Sequence, residues 1–288
     1  MEGRYLYCIA DIGEEIPLGI NGLDGREVYT VPFDGVAAVV HDAGEPYGIK
    51  DQGRIIDLAV KHQEVVEEAW RKFGTVLPVR FNTIIKGDTD GLRGWIKGMY
   101  KELQGKIERL REMEEYGVQV FMDRDLVGER LMETVPALTD LRARVGSGRG
   151  GTAYMHQQML ERELEREMRA EADIRFRELY PRIKRVSEEV SIENLGTVPD
   201  LPAERSRAVE SGLSPKQRHG TKERVAMFMN LSCLVSRGRY MDLVEELESI
   251  DRMVAFSVRF TGPWPPYSFV GFLGDSMKIR QASLPLRA

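Results

Sequence analysis

The chain has 288 residues, of which 46 are acidic and 41 basic, for a formal net charge of −5. That length suggests two domains, each able to enclose its own core. The charges are interspersed, so no segment forms the basic block that nucleic acid selects, and no apolar run approaches the roughly 20 residues needed to span a bilayer. The opening Met1-Glu2-Gly3-Arg4-Tyr5 lacks the basic-then-apolar order of a signal peptide. Cys8 and Cys233 each lie in an apolar, strand-like context and are expected as two reduced, buried thiols of a cytoplasmic protein.

Residues 4–10 read as a strand, and residues 27–31 and 36–40 as two more, joined by the turn Pro32-Phe33-Asp34-Gly35. Apolar residues at 55, 58, 59, 65, 66, 69, 70 and 73 predict a helix with one face inward, ended by Gly74. Residues 76–81 follow as a strand. A second helix is predicted from about 90 to 115 on the stripe Leu92, Trp95, Ile96, Met99, Leu103, Ile107 and Leu110, with Gly117 as its stop and 118–122 as a returning strand. This interleaving predicts an α+β protein of two domains, the first (1–124) a modified ferredoxin-like sandwich.

Residues 125–151 read as a linker, with a short helix over 125–135 interrupted by Pro136 and a hinge at Gly146-Ser147-Gly148-Arg149-Gly150-Gly151. The glycine run has neither the Lys-Ser/Thr ending nor the preceding strand of a phosphate-binding loop. The second, smaller α+β domain is expected over 152–288. It starts with a long amphipathic helix (152–189) whose apolar stripe runs through Leu160, Leu164, Met168, Ala172, Phe176, Leu179, Ile183, Val186 and Val190. Pro181 should kink or break that helix. Packing on its own domain is favoured over a coiled-coil arm, because the heptad pattern is short. A mobile loop is expected at 196–222, then a strand over 225–235, a helix over 241–252 and a strand over 254–260. Val79-Arg80-Phe81-Asn82-Thr83 and Val258-Arg259-Phe260-Thr261-Gly262 echo each other, a hint that the second domain repeats part of the first.

The last strand enters Thr261-Gly262-Pro263-Trp264-Pro265-Pro266-Tyr267-Ser268-Phe269. Three prolines remove three backbone donors and fix three φ angles, which predicts a rigid hook outside sheet and helix. The hook is expected to be structural, and Trp264→Ala to cost about 3–5 kcal/mol. Its wording resembles the Gly-Pro-Trp-Pro-Pro-Tyr-Ser-Phe signature of the gas vesicle protein family GvpF/GvpL. Val76-Leu77-Pro78-Val79-Arg80-Phe81-Asn82-Thr83 resembles the family's Leu-Pro-Val-Arg-Phe-Gly-Thr, with Asn82 at the glycine and able to keep a left-handed turn. The strand at 4–10 also fits the resemblance.

Among candidate chemical groups, His41, His62, His156 and His219 lie in unrelated contexts without metal-ligand spacing, and His62 is assigned to the polar face of the first helix. No serine occupies a nucleophile elbow. Catalytic, cofactor and metal sites are therefore expected to be none. The resemblance implies a non-enzymatic assembly or accessory protein, gas vesicle-associated in the cytoplasm, that binds the small apolar shell protein, with other accessory gas vesicle proteins as further partners. Leu77, Arg80 and Phe81 are the candidate contact residues; Gly262, Pro263, Trp264, Pro265, Pro266, Tyr267 and Phe269 are the structural hook. The alternative is a small-molecule enzyme on paired ferredoxin-like domains with an interdomain pocket.

Overall fold

Two separated stretches of chain build the first unit of the computed structural model, which describes residues 3–44, 47, 52–193, 225–271, 273 and 279–280. Unit 1 comprises Met1–Glu115 with Pro263–Ala288, and unit 2 comprises Tyr116–Gly262. The divisions therefore fall elsewhere than the expected 1–124, 125–151 and 152–288. The physical reason is that 125–147 is helical and packed within unit 2, whereas the chain after Gly262 returns to unit 1. The loop expected at 196–222 lies outside the described residues.

In unit 1, β1 (Gly3–Ala10) is buried along its whole length. Cover on both faces explains its nearly continuous apolar run in place of a strict alternation. It pairs antiparallel with β4 (Val36–Ala43), β5 (Val76–Pro78) and β6 (Ile84–Lys86). β3 (Glu27–Phe33) and β4 form the predicted hairpin, with Asp34 at φ 47° and Gly35 at φ 87°. Two successive positive φ angles match the right-handed twist of the flanking strands. β2 (Pro17–Asn21) extends the sheet beside β3 and was not foreseen, because Pro17 and Gly19 resemble turn residues. With β11 (Ile279–Arg280), the sheet order is β11–β6–β1–β4–β3–β2, and β5 also joins β1.

Helix α1 (Gln52–Phe73) places Leu58, Val65, Val66 and Ala69 in one cluster with Tyr5, Tyr7 and Cys8. Gly74, at φ 81°, ends it in the left-handed conformation that a C-terminal glycine supplies. Helix α2 (Thr89–Leu110) is capped by the Asp88 carboxylate, which accepts from the Gly91 N–H at 2.9 Å. It ends at Leu110, five residues earlier than expected, and Glu112 turns the chain at φ 61° into β7 (Met113–Asp123). Gly117 is thus inside a strand and does not stop a helix. A Cβ there would lie 2.6 Å from Thr261 Oγ1, so the glycine serves close strand approach.

Unit 2 continues with α3 (Arg124–Thr134), α4 (Pro136–Ser147) and α5 (Gly151–Arg185). Pro136 is the first residue of α4, where a missing N–H costs nothing, and so starts a helix where an interruption was expected. The glycine run is a tight helix–helix connection: a Cβ on Gly148 would sit 2.9 Å from Ala153 Cα, and Gly150 takes φ 57°. Helix α5 runs through Pro181 and ends at Arg185, short of 189, where β8 (Glu189–Ile192) begins. β9 (Val225–Ser236), α6 (Tyr240–Asp251) and β10 (Phe256–Trp264) complete the unit, with sheet order β10–β7–β9–β8.

The predicted apolar stripe of α5 faces this core. Leu160, Met168, Leu179 and Ile183 are buried against Val127, Leu131, Met229 and Leu247, with Leu164, Ala172 and Phe176 partly buried beside them. Ion pairs from Arg124 to Glu165 (2.6 Å) and Arg182 to Glu246 (2.6 Å) hold α5 to α3 and α6. Cys8 and Cys233 are both buried, as expected. The two echoed pentapeptides have different structures, since 79–83 makes a turn whereas 258–262 runs inside β10.

Candidate functional site

The stretch after β5 is a turn fastened at both ends to β1. The Val79 N–H donates to the Tyr7 carbonyl at 3.0 Å, and the Leu6 N–H donates to the Thr83 carbonyl at 2.9 Å. Between these ties Asn82 takes φ 65°. Its side-chain oxygen accepts from the Tyr47 N–H at 2.8 Å and its amide donates to the Tyr47 carbonyl at 3.0 Å, so it pairs with that residue as a strand would. The Asn82 N–H donates to the Tyr5 hydroxyl at 2.8 Å, and the Thr83 hydroxyl donates to the Arg80 carbonyl at 2.7 Å. Asn82→Ala removes both amide bonds and puts a residue averse to left-handed geometry in their place. We expect a loss of about 2 kcal/mol, read as an earlier urea midpoint at unchanged slope; an unchanged midpoint would show the clamp to be idle.

The three contact candidates separate here. Leu77 is fully buried in β5 opposite Ile9, and so supports the turn from below without reaching the surface. Arg80 is exposed. Phe81 is half-buried, its ring standing edge-on to His62 at 5.9 Å. An exposed arginine and a half-buried aromatic ring thus follow one another on a tied-down turn.

Beneath the turn is a cluster of rings that the sequence reading did not assemble. Tyr5 stacks on His41 at 4.9 Å and meets His62 edge-on at 5.7 Å, and Tyr7 lies 4.9–5.4 Å from all three. His62 is 3% exposed, on the inward face of α1, and not on the polar face to which it was assigned. Its place in the apolar spacing, between Leu58 and Val65–Val66, was the available signal. His62 Nε2 lies 3.1 Å from the Val79 carbonyl oxygen. A carbonyl only accepts, so Nε2 carries the proton and Nδ1 receives the Tyr5 hydroxyl at 3.0 Å. The Tyr7 hydroxyl accepts from the Leu23 N–H at 2.9 Å and lies 2.8 Å from His41 Nδ1.

Burial sets the charge of this cluster. Desolvation lowers the His62 pKa to about 4, with His41 lowering it further and the Val79 bond opposing. Desolvation and Arg26 likewise lower His41 to about 4, against Asp42 and Asp24. Burial pushes the Tyr5 and Tyr7 hydroxyls well up, so all four rings are neutral at pH 7. His41 Nε2 is buried without a hydrogen-bond partner among the described residues.

The hook is more regular than expected. Gly262, Pro263 and Trp264 are the end of β10, and Tyr267–Val270 forms the short helix α7, so the run does enter both sheet and helix. β10 is an edge strand, the position in a sheet where a proline is tolerated. Gly262 takes φ 122°, which a side chain disfavours. Pro265, Pro266 and Phe269 are buried, Trp264 is half-buried, and Tyr267 keeps 37% of its surface. The Tyr267 hydroxyl end is nevertheless deep enough for burial to raise its pKa, with Cys8, Glu67, Tyr5 and Glu115 adding to the rise. Both Glu115 oxygens accept from Ser268, one from its N–H at 2.8 Å and one from its hydroxyl at 2.7 Å. The Arg109 guanidinium donates to the Phe269 carbonyl.

Among the described residues no three His, Cys, Asp or Glu side chains come together as a metal site, and no helix is long and apolar enough to cross a membrane. What the geometry presents is an α+β protein with a rigid surface turn over a neutral ring cluster and a hook folded back on the same unit. The family description Gas vesicle synthesis protein GvpL/GvpF matches residues 3–271, and the chain belongs to that family. It is 31% identical over 277 residues to gas vesicle protein L1 of Halobacterium salinarum, covering 94% of this chain and 92% of that protein. Identity to gas vesicle protein L of Haloferax mediterranei is 24% over 303 residues, 95% of this chain and 89% of the relative. The crystal structure of GvpF from an Anabaena species aligns with a TM-score of 0.68 at 19% identity, over 94% of this chain and 99% of that one. GvpF from Microcystis aeruginosa aligns at 0.61, also at 19% identity and with the same coverage, and these two likenesses concern fold.

Proposed function

We propose that this chain is a non-enzymatic accessory factor of gas vesicle synthesis that binds the small apolar shell protein and assists nucleation or growth of the vesicle. The observation that carries this reading is the family match across nearly the whole chain. A shell subunit exposes a large apolar surface before assembly, and a partner that covers it keeps it from aggregating. The turn at Arg80 and Phe81 suits such a role, because its backbone is already ordered and loses little entropy on binding. Leu77 belongs to the support of that turn. Vesicle association and contact with other accessory gas vesicle proteins follow from the same reading.

Co-expression with the shell protein, against an unrelated apolar peptide, tests it: specific co-purification is expected, and none from a folded, monodisperse protein sinks the proposal. The Arg80→Ala/Phe81→Ala pair is expected to weaken capture at least about tenfold, the equivalent of about 1.4 kcal/mol, with the fold retained. Unchanged capture by the folded double variant would remove the turn from the interface. We further propose that the ferredoxin-like label belongs to unit 2. Its succession of strand, helices, strand, strand, helix, strand and its order β10–β7–β9–β8 support that, whereas unit 1 opens with four strands before its first helix.

A further inference from the structure

The back of α5, opposite the stripe that packs into unit 2, carries exposed apolar residues among ordered charges. Met155 is 53% exposed, Met159 49% and Ile174 56%. At 100° per residue these three fall on one side of the helix with Glu163, Arg166 and Ala170. A shallow surface groove borders this face and shares Arg166 and Ala170 with it, its other lining residues being Arg162, Glu165, Arg169 and Asp173.

The order of residues along this face is complementary to itself read backwards. Laid antiparallel on a second copy about a two-fold between residues 164 and 165, Met155 faces Ile174 and Met159 faces Ala170 of the other chain. In the same register Glu163 faces Arg166 and Arg162 faces Glu167, each opposition occurring twice by symmetry. Sliding the helices by one heptad destroys this. One direction sets Glu163 against Asp173 and Met159 against Arg177, and the other sets Met159 against Glu163. Arg162 has no ion-pair partner among the described residues, although most neighbouring arginines on α5 do. Within one chain the Arg166 guanidinium already reaches Glu163 and Glu167, so the charges are held at the positions the second copy would meet.

We infer that α5 is a homodimerisation surface, pairing antiparallel with the α5 of a second copy through Met155, Met159, Ala170 and Ile174. The apolar pairs drive the association, and the charges between and beside them set its direction and register. The inference does not depend on what the protein binds.

Full-length protein carrying Met159→Cys and Ala170→Cys together tests it. The two positions are 11 residues apart on one helix, about 16 Å at 1.5 Å per residue, too far for a disulfide within a chain. Oxidised glutathione should convert the double variant to a covalent dimer and leave both single variants uncross-linked. Cys8 and Cys233 are buried and do not compete. A double variant that stays monomeric, or single variants that cross-link equally well, would overturn the pairing. Sedimentation supplies an independent reading: the wild type should dimerise with rising concentration, and Ala170→Glu should weaken dimerisation at least tenfold with helical content unchanged. A wild type monomeric at all concentrations, or an Ala170→Glu variant that dimerises equally, would also refute it.

Discussion

Replacing Phe269 with Ala is expected to lower the unfolding free energy by about 3–5 kcal/mol, the range for truncating a large buried aromatic. Phe269 is 4% exposed and belongs to α7, whose contacts are with β5. Its position is over-determined by neighbours that are themselves fixed: Glu115 holds Ser268 with both oxygens, and the Phe269 carbonyl accepts from Arg109. Surroundings held in this way cannot collapse into the vacated space, so the effect should fall toward the upper part of the range. Trp264, to which the sequence reading assigned this cost, is half-buried and should cost less. The check is urea denaturation of both single variants. A Phe269→Ala midpoint within experimental error of wild type, or a larger loss at Trp264, would show that the hook is not anchored through Phe269.

Acid should destabilise the protein before most carboxylates titrate. His41 and His62 each have a pKa near 4 when folded, against an ordinary value of 6.5. The unfolded chain therefore binds two more protons than the folded one between these values. Their contribution is fully present above pH 6.5 and is lost as the pH falls toward 4. At pH 5 the loss amounts to about 2 kcal/mol for each histidine. Urea melts at pH 7.5 and 5.0 measure it directly. His62→Gln, whose amide can still bond to the Val79 carbonyl, should lower stability at pH 7.5 but lose about 2 kcal/mol less on acidification. An equal pH dependence in the variant would mean that His62 is protonated in the folded state, contrary to its burial and its bond to a carbonyl.

Much of the second unit was legible because its elements announce themselves locally. The α5 stripe, which runs from Leu160 to Ile183 in three- and four-residue steps, is a helix in any context, and the structure buries its Leu160, Met168, Leu179 and Ile183. The hairpin at Asp34-Gly35 and the end of α1 at Gly74 were equally readable, since each needs a positive φ that few residues accept. Glycine and proline elsewhere misled. Gly117 looked like a helix stop but yields space to Thr261, and Pro136 looked like an interruption but begins α4. Their local signals are ambiguous until the neighbouring chain is known.

The candidate site shows the same division. The wording of the motifs at 76–83 and 262–269 carried the resemblance to the family, which the match over residues 3–271 establishes, and Asn82 is fit for a left-handed turn, which it adopts. That Asn82 clamps Tyr47, that Tyr5 and His62 form a hydrogen-bond chain ending at the Val79 carbonyl, and that Glu115 holds Ser268 were decided by tertiary structure. These partners lie 35, 57, 17 and 153 residues apart. Periodicity reports which face of an element is turned inward, because that depends on the element's own geometry. It cannot report what the inward side chain meets there, because that is settled by which distant strands pair and in what register.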